Sequence, residues 1–504
     1  MDGEAEQVSV LGSVADTRTV PPLARKPVFA IAGVVGAILL ATSWNYGYFG
    51  DELYFLSAGK YHLSLGYADQ PWLLPLLAEA IDTVFPGSLV ALRMPSMILV
   101  VLGVVVTALI AREFGGGKRA QVLACGAYAI SPAFLGSGHT LATATVDQFA
   151  WTLVIWLVVR WVRLRQDRLL LVAGIVTAID LQAKFLIAFL WVALAAAVLV
   201  TGPRKLLSRP ALWASGAIAV AVTVPTLIWQ ASHGWPYLRA QEFVGGQAEL
   251  LGGRLTFVPL SVLFAGALVG AFLVCHGVWQ LVRSAELAQY RFLGWTIVLL
   301  TAVFLIVGGK YYYVYGFYGV AFAASAVRIE RGGTARWWRW VPSWPVYALS
   351  ALLAIVMSLP VFPKSAVNEF SFVSIRSIGW PELADTVVQS YQDLSPTART
   401  DSVVLTQMAW QASALEYYAE NELPDVYSPQ GGYWYFGAPG ENVDTMLFVG
   451  HTASPMRKYF ADIQKLRTVS LDRNVLSINQ GVSVWLCENP LVNPSRMWKE
   501  LQGW

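Results

Sequence analysis

Residues 28–44 read VFAIAGVVGAILLATSW, a run without a single charge, and lead directly into Asn45-Tyr-Gly-Tyr-Phe-Gly-Asp51-Glu52-Leu-Tyr54. With its flanks, such a run is long enough to cross a bilayer. Two adjacent carboxylates at its far end are costly beside lipid and need a partner or a task. The pattern of apolar run and polar loop repeats along the chain. Segments suited to the membrane fall at 28–44, 92–111, 119–136, 145–162, 168–183, 185–201, 211–230, 257–281, 291–308, 312–327 and 343–360. Composition agrees: of 504 residues, 56% are hydrophobic and 13% charged, against about 25% charged in soluble domains, and mean hydropathy is +0.52. An ordinary multidomain soluble protein is thereby excluded. The net charge of +3 gives no electrostatic support for nucleic-acid binding. Cys125, Cys275 and Cys487 are too few and too scattered for a disulfide framework or a zinc cluster.

Charge sidedness orders these segments. With the N-terminus placed in the cytoplasm, the inner loops and span ends hold nineteen Lys and Arg residues, whereas the outer ones hold only Lys60, Arg93, Lys184, Arg239, Arg254 and Lys310. Cytoplasmic loops collect bases, so this bias predicts that 168–201 forms two spans. A single span there would invert every later loop and put the basic cluster 328–339 outside. The tail 1–27 is polar and acidic before Arg25-Lys26, unlike a cleavable signal peptide, so the first span is read as a retained anchor. The expected fold is a polytopic α-helical membrane protein of about 11 transmembrane helices. Its membrane unit is 28–360, with a large first outer loop at 45–91, and residues 364–504 form an extracytoplasmic α/β domain. Strand-like runs in that domain are Val403–Thr406, Asp444–Gly450 and Ser483–Cys487. Its Tyr433-Trp434-Tyr435-Phe436 tract reads either as a sugar- or lipid-contacting loop or as aromatic packing onto the bilayer surface.

The outer loops concentrate groups that carry chemistry. Asp51-Glu52 can be an N-terminal cap and dipole partner for a helix Leu53–Lys60, or a site. Segment 71–86, opened by Pro71 and bearing Glu79 and Asp82, is expected to lie on the outer membrane surface. The second outer loop contains His139 and precedes Thr145-Val146-Asp147, an acid at the head of a span. Asp180 and Lys184 stand four apart, either paired with each other or offering a cation to phosphate. The fourth outer loop carries His233-Gly-Trp235-Pro236, Arg239 and Arg254; Lys310 precedes Tyr311-Tyr312-Tyr313, where a snorkelling cation in an aromatic belt is the plain alternative. All of these loops converge on one face, where acids, cations and aromatics would line a cleft suited to a lipid-linked anionic substrate. Cations there can hold a phosphate while a carboxylate takes the proton of an acceptor hydroxyl.

Asp51-Glu52 after the first span, Asp69-Gln70-Pro71 ahead of a surface helix, Thr145-Val146-Asp147, the Gly174–Lys184 span, and Trp229-Gln230 with His233-Gly-Trp-Pro236 together resemble glycosyltransferase family 39. These are the polyprenyl-phosphate-sugar-dependent enzymes of the GT-C superfamily, which include protein O-mannosyltransferases and lipid A aminoarabinose transferases. Leu423-Pro-Asp-Val-Tyr-Ser428 and Tyr433-Trp-Tyr435 are similar to the tail of actinobacterial members. The resemblance implies a multi-pass enzyme of the cell membrane that transfers a sugar, in the mannosyltransferase manner, from a polyprenyl-phosphate donor to an acceptor hydroxyl with inversion. A β-linked donor would then give an α-glycoside. The acceptor class, whether glycan, lipid, protein or secreted small molecule, is left open. It further implies Asp51 as general base, Glu52 in support and Asp147 as a second acid. Lys184 with Arg239, Arg254 or Lys310 would hold the donor phosphate, and Tyr54, Gln70, His139 and Trp235 are the candidate substrate contacts. Some relatives bind a divalent metal through a Glu and a His. Those positions fall on Asp69 and His233 here, with the shorter Asp for Glu and Gln70 where a Lys is usual. The rival reading from another class is a flippase or transporter of lipid-linked sugars. Carriers tend to show matching halves and broken helices around a midplane site, whereas the charges here gather at the outer ends.

Overall fold

The computed structural model describes residues 20–240, 252–367, 372–441, 443–472 and 475–503. Each of the eleven apolar segments carries helix, in the order α1 (Arg25–Thr42), α4 (Leu89–Glu113), α5 with α6 (Lys118–Ala129 and Pro132–Gly138), α7 (Thr143–Leu164), α8 (Arg168–Asp180), α9 (Ile187–Thr201), α10 (Pro210–Ser232), α11 with α12 (Gly253–Gly266 and Val269–Arg283), α13 (Arg291–Val307), α14 (Tyr318–Glu330) and α15 (Trp344–Ser358). Between α1 and α4 lie α2 (Gly50–Tyr61) and α3 (Leu73–Val84). Among the described residues, five helices are individually long and apolar enough to cross a membrane, seven if each bent pair counts as one span; α9 and α15 are shorter apolar helices.

Three segments differ from continuous spans. Region 168–201 is two helices, with turns over 181–186 between them. Segment 119–136 bends by 58° where Pro132 opens a new helix, because proline lacks an amide N–H and disrupts the preceding turn. Segment 257–281 is not one rod: it turns through 113°. There Gly266 has φ +145° and Ala267 φ +39°, backbone that ends a right-handed helix and that glycine adopts at least cost.

The two ends of the bundle have opposite chemistry. At one end, Glu113 pairs with Arg163 (2.6 Å), Glu286 with Arg328 and Arg331, and Glu330 accepts from the amides of Gly117 and Ala120. These bonds gather the basic loops 112–120, 160–168, 283–291 and 328–331 on one face. At the other end, Asn45 Nδ2 donates to the Pro360 carbonyl (2.8 Å), Trp72 Nε1 to Gln182 Oε1 (2.9 Å), and Gln230 Nε2 to the Tyr67 carbonyl (2.7 Å). Helices α2 and α3 cover that second face. α3 begins at Leu73 rather than at Pro71, and buries Leu74 and Ala78 while Glu79 and Asp82 lie outside the packed stripe.

Past Pro360 the chain builds a five-stranded sheet: β1 (Ser402–Thr406), β2 (Val426–Tyr427), β3 (Thr445–Gly450), β4 (Phe460–Thr468) and β5 (Ser483–Pro490), ordered β2-β1-β3-β5-β4. β1 runs parallel to β2 and β3, and β5 antiparallel to β3 and β4. Helices α16 (Trp380–Gln392) and α17 (Ala409–Tyr418) flank one face of it, and the helix Pro494–Leu501 packs Met497 and Trp498 on the other. This sheet domain shares a hydrophobic core with α2 and α3: Leu53, Tyr54, Phe55, Leu56 and Leu74 pack in one cluster with Leu383, Val404, Leu415, Tyr433 and Leu447. Polar contacts reinforce the junction, Lys60 with Glu420 (2.8 Å), His62 with Glu416 (3.1 Å) and Tyr48 with Tyr417 (3.0 Å).

Candidate active site

The site is built on the first turn of α2. Phe49 is its extended N-cap, and Glu52, at the third helical position, reaches back to accept from the Phe49 N–H (2.8 Å). Such a contact satisfies an amide that the helix start leaves orphaned. Glu52 also accepts from Arg93 Nε (2.9 Å), Arg93 Nη2 (2.8 Å) and the Leu141 N–H (2.9 Å), and both side chains of the pair are 0% exposed. Arg93 spends its remaining donors on the Ser43 and Gly47 carbonyls. Glu52 therefore ties the end of α1, the start of α2, α4 and the 139–142 loop together. Its four donors saturate it.

Asp51, one position earlier, is turned elsewhere. Its Oδ1 accepts from Trp410 Nε1 (3.0 Å), and it is partly accessible to water. Burial raises its carboxyl above the usual carboxylate range, opposed by the charge of Lys310, the Trp410 hydrogen bond and Arg376. Lys310 and Lys184 come from the two loops facing it. The Lys184 ammonium lies 4.9 Å from the Tyr312 ring centre and 5.0 Å from that of Tyr313, and Lys310 lies 5.9 Å from Tyr312. Burial and the charge of Lys184 bring Lys310 down to about 8. Asp147 on α7 and Asp180 at the end of α8 are buried, and both lie within electrostatic reach of Lys184. The Asp180–Lys184 ion pair that their spacing allowed does not form; Lys184 acts on Asp180 and Asp147 through its charge and not through a side-chain bond.

Asp69 forms the neighbouring wall. It accepts from the Tyr54 hydroxyl (3.0 Å) and is pushed up to about 6 by burial. It is accessible to water although protein surrounds it, the condition of a group facing a crevice. Tyr54 stacks on Phe436 (6.0 Å), and Phe436 stacks on His62 (4.2 Å). The Tyr433–Phe436 tract therefore packs on α2 and the loop after it.

Other candidates stand apart from this cluster. His139 is buried beneath Arg93, with Nε2 on the Thr42 carbonyl (2.8 Å), and burial lowers it to about 3, so it is a neutral packing residue. Gln70 is buried with its amide nitrogen unpartnered. His233 is exposed, stacked on Trp229 (4.0 Å), with Nδ1 on the Trp229 carbonyl (2.8 Å). Trp235 is 45% exposed in left-handed backbone, φ 55°. Arg239 and Arg254 are exposed, Arg239 within electrostatic reach of Tyr435 and Arg254 at the start of α11. Among the described residues no group of three His, Cys, Asp or Glu side chains converges as a metal site. Among the described residues, Asp69 and His233 have no third protein ligand. Chelation followed by addition of Mg²⁺, Mn²⁺ or Zn²⁺ is expected to leave turnover unchanged; loss and rescue would give those two residues a metal. Trp410, Arg376 and Arg93 were missed as site or support residues, because each acts across a long sequence separation that local patterns do not encode.

A family model described as dolichyl-phosphate-mannose-protein mannosyltransferase matches residues 69–229. Among solved structures, the chain is similar to ArnT from Cupriavidus metallidurans in the apo state, with 15% identity over 91% of this chain and 97% of that one, at a TM-score of 0.60. The same protein bound to undecaprenyl phosphate gives 16% identity, the same coverage and a TM-score of 0.56. The mycobacterial arabinofuranosyltransferase AftD gives 12% identity over 91% of this chain and 40% of that one, at a TM-score of 0.51. No curated protein matches the sequence significantly. The chain has the GT-C fold, as its resemblance to family 39 implied.

Proposed function

We propose that the protein transfers a sugar from a polyprenyl-phosphate donor to an acceptor hydroxyl, with Asp51 as general base. The observation that carries this reading is the contrast between two adjacent acids: Glu52 is saturated, while Asp51 is accessible in a crevice that also presents Lys184 and Lys310. The acceptor oxygen attacks the anomeric carbon and gives its proton to Asp51. The bond from that carbon to the phosphate oxygen breaks, and the polyprenyl phosphate leaves with the negative charge, which Lys184 and Lys310 stabilise. Attack opposite the leaving group inverts the centre, so a β-linked donor gives an α-glycoside. The charges of Asp147 and Asp180 favour the protonated, cationic form of Lys184. The similarity to a fold that holds undecaprenyl phosphate in the ArnT structure, and the mannosyltransferase family model, support a lipid-linked donor of mannose type. In this reading the basic face is cytoplasmic, the protein is a multi-pass protein of the cell membrane, and 364–504 lies outside with the site at the outer leaflet. A mixed acceptor panel offered with several polyprenyl-phosphate sugars, with products read by mass spectrometry, tests it. Movement of lipid-linked sugar across vesicles with no glycoside formed would favour a flippase.

Lys184→Met is expected to weaken donor affinity roughly 10- to 100-fold, the worth of one charge-assisted hydrogen bond, and to lower the melting temperature because Asp147 and Asp180 lose the charge facing them. Titration of donor binding measures it. Lys310 is a cation below about 8 and neutral above it. For the free enzyme, kcat/KM is therefore expected to decline as pH rises past that value, and Lys310→Arg to extend activity upward.

A further inference from the structure

We infer that Trp410, delivered by the sheet domain, is the positioning residue for Asp51, so that the catalytic site is completed only by docking of the outer domain. The inference rests on Asp51 being the base. The indole N–H donates to Oδ1 at 3.0 Å, leaving Oδ2 as the oxygen open to an acceptor proton. The ring lies 5.6 Å from that of Phe49. It covers Gly50 so closely that a Cβ there would fall 2.4 Å from an indole carbon. Any other residue at position 50 would displace the ring and its N–H. α17, which carries Trp410, is held on α2 by Glu416, which pairs with His62 (3.1 Å), and by Glu420, which pairs with Lys60 (2.8 Å). A hydrogen bond to one carboxylate oxygen removes the freedom of the group to rotate and favours its charged form. The charged and titratable groups facing Asp51 are Glu52 on its own helix and Asp69, Lys184, Lys310, Tyr312 and Arg376 from other elements. None of them replaces a donor fixed on Oδ1.

The test compares Trp410→Phe, which keeps an aromatic ring and deletes the N–H, with wild type in full-length protein. The expected result is a kcat lower by roughly 30- to 100-fold, an unchanged donor KM, and an acidic limb of the pH–rate profile moved up by about one unit. The double variant W410F/D51N is expected to be no slower than D51N alone. An unmoved acidic limb, or a normal kcat, in W410F while D51N is inactive would overturn the role of Trp410 and leave the Asp51 reading intact. An active D51N would instead overturn the reading itself. Should W410F fold poorly by thermal melt, Gly50→Ala moves the indole without deleting it and carries the same expectations: a shifted limb supports the role and an unmoved one ends it.

Discussion

Asp51→Asn is expected to reduce sugar transfer roughly 10³- to 10⁴-fold, the upper range for removing a general base. Thermal stability and donor affinity should be close to those of the wild type. Asn is nearly isosteric, and its carbonyl oxygen can still accept from Trp410, so the first turn of α2 is undisturbed. The charge that Lys184 and Lys310 meet in the donor is the phosphate, which the substitution does not touch. pH dependence supplies a second signature. Burial holds the Asp51 carboxyl above the usual range, so the base is lost by protonation as pH falls through a raised value, and wild-type activity should decline on the acidic side earlier than for an exposed aspartate. In D51N the residual rate should lack that limb. Turnover near normal in a folded D51N protein would sink the assignment.

Arg93→Met is expected to produce the largest loss of stability, about 3–5 kcal/mol, because it leaves the buried Glu52 carboxylate without its bidentate partner. Removing both charges should hurt much less. The double variant Glu52→Leu/Arg93→Met is expected to regain much of the stability, since a buried ion pair is often replaceable by apolar packing while half of one is not. Melting temperatures of the three proteins in detergent decide this. A single Arg93→Met variant as stable as wild type would mean that Glu52 has another partner. Activity should not return with stability in the double variant, because the start of α2 would lose the contacts to Phe49 and Leu141 that aim Asp51.

Much of the fold was legible because membrane segments announce themselves by uncharged length. The break within 168–201 followed from charge sidedness, since one span there would have inverted every later loop and put the basic cluster 328–339 outside. The bend at Gly266 and Ala267 was not legible, as apolar composition continues through it and only backbone geometry marks the turn. In the outer domain, β1, β3 and β5 lie wholly or largely buried and read as apolar runs. β4 escaped because it is an edge strand whose Asp462, Gln464, Lys465 and Arg467 leave little apolar pattern. Within the site, Asp51, Asp147, Lys184 and Lys310 were legible as costly charges at segment ends. Asp51 and Glu52 could not be separated from sequence, because which of two neighbours caps a helix depends on Arg93, on another helix. His139 looked like a loop ligand because the sequence gives no sign that Arg93 lies over it.

The shared core of α2, α3 and the sheet domain also constrains how the protein can be made. Ser57 and Glu416, which meet across that core, are 359 positions apart. At roughly 5–20 residues per second, the ribosome needs roughly 20 to 70 s to supply the second partner after the first has emerged. Over that interval Leu53, Phe55 and Leu56 have α3 and α4 but not the sheet domain to cover them, and the bilayer surface is the nearest further apolar refuge. A late transfer of α2 from lipid onto the sheet domain is therefore expected during synthesis. Nascent chains arrested before residue 409 should carry an α2 that is accessible to lipid-phase labels and protected from them only once synthesis is complete.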